Sequence, residues 1–249
     1  LRAAALDLGS NTFILTIVER YPNGEAHVLC DEVRYVRLGE GVDKSKKLLP
    51  EALERAKLVL AEFRELITLH APEVVLATAT SAARDASNGQ ELIDICHSFS
   101  IPVEIITGIR EAELTFKGSR FFQKLTGNHW VIDIGGGSTE IIYGNAHGIS
   151  WTHSFDLGCV RLFERWGRDY DKIVTQIEEQ FQAQLPEGLL QQAQACIAVA
   201  GTPVELVRIL ESNKFSIEIC EGYQLNGKNL DLVIQVLKEN TPDDLMRKY

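Results

Sequence analysis

Two short stretches of this chain place an aspartate, glycines and hydroxyl side chains where they could handle a charged ligand: ALDLGSNTF at residues 5–13 and VIDIGGGSTE at residues 131–140. Asp7 and Asp133 stand 126 positions apart, about half of the 249 residues, and each closes one apolar run just before another begins. The shared layout predicts an internal duplication. Gly135, Gly136 and Gly137 can take conformations closed to other residues and bring backbone N–H groups close to a ligand. Successive N–H groups of that kind form an anion nest, to which Ser138 and Thr139 add hydroxyl donors. Gly9, Ser10, Asn11 and Thr12 offer a similar set in the first half. Two such nests face to face would grip a phosphate or a chain of phosphates. Carboxylates fit that setting if a hard cation such as Mg²⁺ is present, with Asp133 as first ligand and Asp7 and Glu140 bound directly or through water.

The segment ITGIREAELTFKG, residues 106–118, puts Glu111 and Glu113 at the start of a helix. The helix dipole favours acidic residues there. Between two lobes, such a carboxylate could also take a proton from water attacking phosphorus. Arg84, in ATATSAARDASNG, follows a strand end. It suits either a phosphate held by paired donors or an ion pair with Asp85 or another carboxylate. Arg34 and Arg37 share a strand face and read as a solvated edge or an anion funnel. The six histidines show no HExxH spacing, and no GxxxxGK[ST] loop is present.

The elements that must position these residues come in a repeated order. Strands are expected at 2–7, 12–20 and 26–37, then a helix from Pro50 to His70 with Leu53, Ala56, Leu60, Phe63 and Ile67 at helical spacing. A strand at 73–79, a helix capped by Asn88 through Phe99, a strand at 102–107 and a helix at 110–122 complete the first half. The order restarts with strands at 129–134, 140–144 and 149–156, one helical stretch over 158–184, a strand at 196–200 and a helix from Pro203. A three-stranded meander followed by alternating helix and strand is the order of an RNase H-like α/β domain. Two of these are expected in tandem, 1–117 and 118–249, with an inter-domain cleft and a hinge near 115–127.

Composition narrows the ligand classes. A formal net charge of −10 argues against sequence-independent nucleic-acid binding over the whole surface, so an anionic ligand must be met locally. Five scattered cysteines without a CxxC pair suggest neither a zinc site nor a disulfide framework. No run of 18 apolar residues and no signal-peptide pattern is present, so no membrane partner and a cytoplasmic location are expected. The chain opens at Leu1 inside a strand pattern without Met, so residues are expected to precede it.

Six motifs in order, ALDLGSNTF, RLGEGVDKSKKLLPEALERA, ATATSAARDASNG, TGIREAEL, VIDIGGGSTE and SFDLGCVRLFE, resemble those of the exopolyphosphatase and guanosine pentaphosphate phosphohydrolase family. That family belongs to the actin, Hsp70 and sugar-kinase superfamily, so the resemblance implies two actin-like ATPase domains. It implies Mg²⁺-dependent hydrolysis of a terminal phosphoanhydride in inorganic polyphosphate or guanosine pentaphosphate. The family's catalytic glutamate matches Glu111, its Asp and Glu of the glycine-rich motif match Asp133 and Glu140, and its arginine matches Arg84. Three features depart from the pattern: Arg110 in place of a second acid before Glu111, the segment AVAGTPVEL, and an end at TPDDLMRKY before the expected closing helical motif.

The expected ligand is therefore polyphosphate or a guanosine polyphosphate, with Ser10, Asn11, Thr12, Arg84, Gly135, Gly136, Gly137 and Ser138 binding it. No sequence-specific nucleic acid is expected, and a homodimer is one way for a short chain to extend its cleft. An ATP-dependent kinase of the same superfamily and a non-catalytic sensor of these ligands remain the alternatives.

Overall fold

The computed structural model describes residues 1–122, 127–189 and 192–248. Two mixed sheets organise it. The first has the order β3-β2-β1-β4-β5, built from β1 (Arg2–Leu8), β2 (Thr12–Arg20), β3 (Ala26–Tyr35), β4 (Val74–Ala79) and β5 (Val103–Ile105). The second has the order β8-β7-β6-β9, from β6 (His129–Ile134), β7 (Thr139–Asn145), β8 (Gly148–Phe155) and β9 (Ala195–Val199). In each, three antiparallel strands form a meander and the first of them pairs in parallel with the strand that follows the crossover. The duplication thus extends from motif to topology, and the α/β class with paired RNase H-like sheets stands.

Alternation of apolar and polar residues along β1 and β2 sends Leu6, Leu8, Phe13, Leu15 and Ile17 into the first core. Helix α2 (Pro50–His70) covers that face with Ala56, Leu60, Phe63 and Ile67, all buried. The second sheet is covered on both sides. Helix α5 (Gly108–Phe122) lays Ala112 and Phe116 on Val131 and Ile142. Helix α7 (Tyr170–Gln184) lays Ile173, Ile177 and Phe181 over Trp130, Tyr143 and Phe155 on the other face. The expected boundary at 117/118 falls inside α5, a helix that packs on the second sheet. Part of the expected hinge, 123–126, lies outside the described residues.

Several expectations need correction. The helical stretch over 158–184 is two helices, α6 (Cys159–Trp166) and α7, because Gly167 adopts φ 57° and Asp169 caps α7 by accepting from Lys172 N–H. Asn88 stands at the start of α4 (Gly89–Ser98), yet its amide pairs with the backbone of Leu48 instead of capping. Strand β3 ends at Tyr35, and Arg37 takes φ 52°. One-turn helices α1 (Val42–Ser45) and α3 (Ser81–Asp85) occupy segments read as connections. Helix α8 (Gly201–Glu211) begins two residues before Pro203, and α9 (Gly227–Glu239) and α10 (Pro242–Lys248) follow. All five cysteines are free thiols, and no described helix is long and apolar enough to cross a membrane.

Candidate active site

The two aspartate turns are built alike. Asp7 precedes a turn in which Gly9 N–H donates to Thr12 C=O at 3.0 Å, and Asp133 precedes one in which Gly135 N–H donates to Ser138 C=O at 3.0 Å. In the second turn the carbonyls of Gly135, Gly136 and Gly137 accept from Cys159 N–H, from Val160 and Arg161 N–H, and from the Arg161 guanidinium. A planar trans peptide points its N–H opposite to its C=O. The N–H groups of Gly136, Gly137 and Ser138 therefore point away from α6, and together they make a nest of three donors.

The turns touch, which the sequence expectation of two facing nests did not include. A Cβ on Gly136 would lie 3.0 Å from Asn11 Cβ, and one on Gly137 would lie 2.8 Å from Ser10 Oγ and overlap Ser81 Oγ. These glycines thus admit the other lobe's backbone as well as any ligand. Ser10 is buried and already engaged, paired with Ser81 Oγ at 2.7 Å and accepting from Ala82 N–H at 3.0 Å. Asn11 and Thr12 side chains make no hydrogen bond among the described residues.

Beside the turns the structure gathers four carboxylates. Glu111 and Thr115 lie one helical turn apart on one face of α5, adjacent to the packed Ala112 and Phe116. Thr115 Oγ1 donates to Asp133 Oδ2 at 3.0 Å. Glu140, buried across from Asp133 in the β6–β7 pair, accepts from Ser154 Oγ at 2.6 Å. Gly108 lets α5 start here, since a Cβ would meet Ser154.

Burial, then Glu111 and Asp133, push Glu140 up to about 8, against hydrogen bonds from Ser154 and Ser138. Burial pushes Glu111 up to about 7, opposed by Arg84 and reinforced by Asp7. Asp7 reaches about 7 through crowding by protein atoms and the charges of Asp133 and Glu140. The residue is exposed, so water screens much of that rise. Asp133 is raised by burial, against the Thr115 hydrogen bond.

Arg84, at the end of α3, donates through Nη1 to Glu111 at 3.2 Å and to Ile106 C=O at 2.9 Å. Its expected alternative partner, Asp85, instead joins Arg161. Arg110 points away from Glu111 to an exposed pair with Glu113 at 2.8 Å, which settles neither residue in the site. Arg34 sits between Glu62 and Glu32 and is a solvated strand edge.

Clustered carboxylates raised chiefly by burial suit a hard cation, which takes oxygen ligands and would neutralise charge that burial disfavours. Among the described residues no three converge tightly enough to enclose an ion alone. A cation held by one or two of them, with water or phosphate oxygens completing its shell, fits this arrangement and is the usual binding mode of Mg²⁺.

Sequence reading missed the contribution of Leu38-Gly39 and Leu157-Gly158. Gly39 N–H donates to Ser10 C=O at 2.7 Å, and a Cβ on Gly158 would overlap Gly136 C=O. Each pair seats the turn of its own lobe. The repeated Leu-Gly after the third strand of each half was the available signal.

The paired sheets and the arrangement at their meeting turns define a protein of the actin-like ATPase type. More narrowly, residues 17–244 match the model of the Ppx/GppA phosphatase family, and the chain belongs to that family. It is 41% identical over 174 residues to exopolyphosphatase 2 of Mycobacterium tuberculosis, an alignment covering 66% of this chain and 54% of that protein. The chain thus spans about half the length of that relative. Its fold is similar to the crystal structure of an exopolyphosphatase from Cytophaga hutchinsonii, at 32% identity and TM-score 0.83, covering 97% of this chain and 81% of the other. It is also similar to the Aquifex aeolicus family member, at 25% identity and TM-score 0.77, covering 98% and 80%.

Proposed function

We propose that the protein is a phosphohydrolase that removes the terminal orthophosphate from inorganic polyphosphate, and from guanosine pentaphosphate as a second substrate of the same chemistry. The observation that carries this reading is the placement of Glu111, half-buried beside three other carboxylates and held by Arg84, next to a glycine turn with three N–H groups directed away from α6. The names of the similar proteins support the polyphosphate part.

In this reading the terminal phosphate lies in the cleft between the lobes. The N–H groups of Gly136, Gly137 and Ser138 donate to its oxygens, Asn11 and Thr12 contact it from the other turn, and the free edge of the Arg84 guanidinium among the described residues completes the cradle. Glu111 orients the attacking water and takes its proton, and its raised affinity for protons suits a base working near neutrality. Asp133 would be the first ligand of Mg²⁺, with Glu140 and Asp7 reaching it through water, and the ion would neutralise charge on the phosphate chain when bound. Placement and charge stabilisation supply most of the rate in phosphoryl transfer, so this set is chemically sufficient.

The test is release of orthophosphate from long-chain polyphosphate, tripolyphosphate, guanosine pentaphosphate and ATP, each with Mg²⁺ and with EDTA. Metal-dependent release from polyphosphate is expected. No release from the first three would overturn the proposal.

A further inference from the structure

We infer that Arg161 is a positioning residue that ties lobe closure to the assembly of the phosphate turn. Its side chain is only 6% exposed and donates three hydrogen bonds in different directions. Nε donates to Gly137 C=O at 2.6 Å, Nη1 to Asp43 Oδ1 at 2.8 Å, and Nη2 to Asp85. Gly137 belongs to the glycine turn of the second lobe. Asp43 and Asp85 belong to α1 and α3 of the first. One planar, rigid fork thus fixes the direction of the turn's last carbonyl, and hence of the opposed Ser138 N–H, while bridging the lobes. The same helix adds two further ties across the junction. Arg165 grips Asp43 through Nε at 2.6 Å and Nη2 at 2.7 Å, and Glu164 accepts from Gly41 N–H at 2.8 Å.

The Asp85 arm reaches further. Asp85 follows Arg84, whose guanidinium holds Glu111. With α3 a single turn, fixing Asp85 also fixes the side chain that faces the base. Nothing in the proposed chemistry requires Arg161 to touch substrate. Its effect is to keep the closed arrangement populated before substrate arrives.

If only a fraction of molecules is closed, apparent affinity falls by that fraction while the bound state is unchanged. The Asp43→Asn variant removes an arm far from the reacting atoms, so its KM for polyphosphate is expected to rise about tenfold or more with kcat nearly unchanged. Arg161→Lys keeps a cation but loses the fork. It is expected to raise KM and also to lower kcat, because the Gly137 carbonyl is released. A purely structural role would reduce the active fraction and leave KM alone. An Asp43→Asn KM within twofold of the wild type, or a loss confined to kcat, would overturn the inference.

That kinetic readout rests on the proposed phosphohydrolase activity. Small-angle scattering of the substrate-free protein does not. A larger radius of gyration in Asp43→Asn and Arg161→Lys than in wild type supports the latch even if no phosphate is released, and equal radii overturn it.

Discussion

Arg84 and Glu111 meet across the junction of the lobes, with Nη1 3.2 Å from Oε2, and the arginine opposes the rise in the glutamate's proton affinity. The pairing makes the glutamate's role accessible to substitution. Glu111→Gln keeps the shape and removes the proton acceptor. It is expected to lower kcat for phosphate release by about 10²-fold or more, the usual range for a positioned base. Turnover near the wild-type value in steady-state assays would remove Glu111 from the mechanism.

Removing the arginine tests the same contact from the other side. Arg84 lowers the pKa of Glu111 from what burial alone would impose, so Arg84→Gln raises it further. The base is active when deprotonated, and the acidic limb of the kcat–pH profile should move to higher pH. A limb that stays in place would show that another group controls it.

Metal binding should depend on pH in a defined sense. Glu140 is raised to about 8, and Asp7 is raised by crowding and by the charges of Asp133 and Glu140, so both carry more negative charge at pH 8 than at pH 6. A cation competes with those protons. The increase in Tm caused by Mg²⁺ should therefore be larger at pH 8 than at pH 6, and should vanish with EDTA. A Mg²⁺ effect equal at the two values would speak against these carboxylates as its ligands.

Asp43 behaves in the opposite way. Hydrogen bonds from Arg165 and then Arg161, opposed by burial, hold its carboxyl down at about 2. A folded pKa below the unfolded value contributes stability above about pH 4, and the contribution is lost as pH falls toward 2. Asp43→Asn should cost about 2 kcal/mol at pH 7, allowing for partial solvent screening, and the difference from wild type should shrink with acidification. Urea denaturation at a series of pH values reads both.

Ala200, at the start of α8, is held at φ 73° and ψ −172°, a region open essentially to glycine alone. Ala200→Gly relieves that strain and should stabilise by about 1 kcal/mol, raising Tm by roughly 2–4 °C. An unchanged or lower Tm in calorimetry would show that the strain is absent in solution.

Much of this arrangement was legible in the sequence because short-range patterns carry it. Asp7 and Asp133 end apolar runs and precede glycine, so the turns, their duplication and the sheet order could be read locally. Glu111 was legible as a helix start, and the resemblance singled it out from Glu113. Arg161 was not, since an arginine in CVRLFERW looks like one more charge on an amphipathic helix. Its partners lie 118 and 76 positions away, a pairing that only the folded chain creates. The break at Gly167 was missed for a related reason. Apolar periodicity continues through it, while the turn depends on a single φ.

The packing of α5 on the second sheet leaves Glu111 and Arg84 on different bodies: the glutamate moves with β6–β8, the arginine with α3 and the first sheet. Any rotation that parts the lobes takes the counter-ion from the carboxylate and admits water at the same moment. Burial is the largest cause of the glutamate's raised pKa, so a hydrated, open molecule would hold a charge at Glu111 where a closed one, near pH 6, holds a proton. Opening and closing then exchange a proton with solvent, and the lobes' motion can be followed as a pH-dependent equilibrium as well as a change of shape.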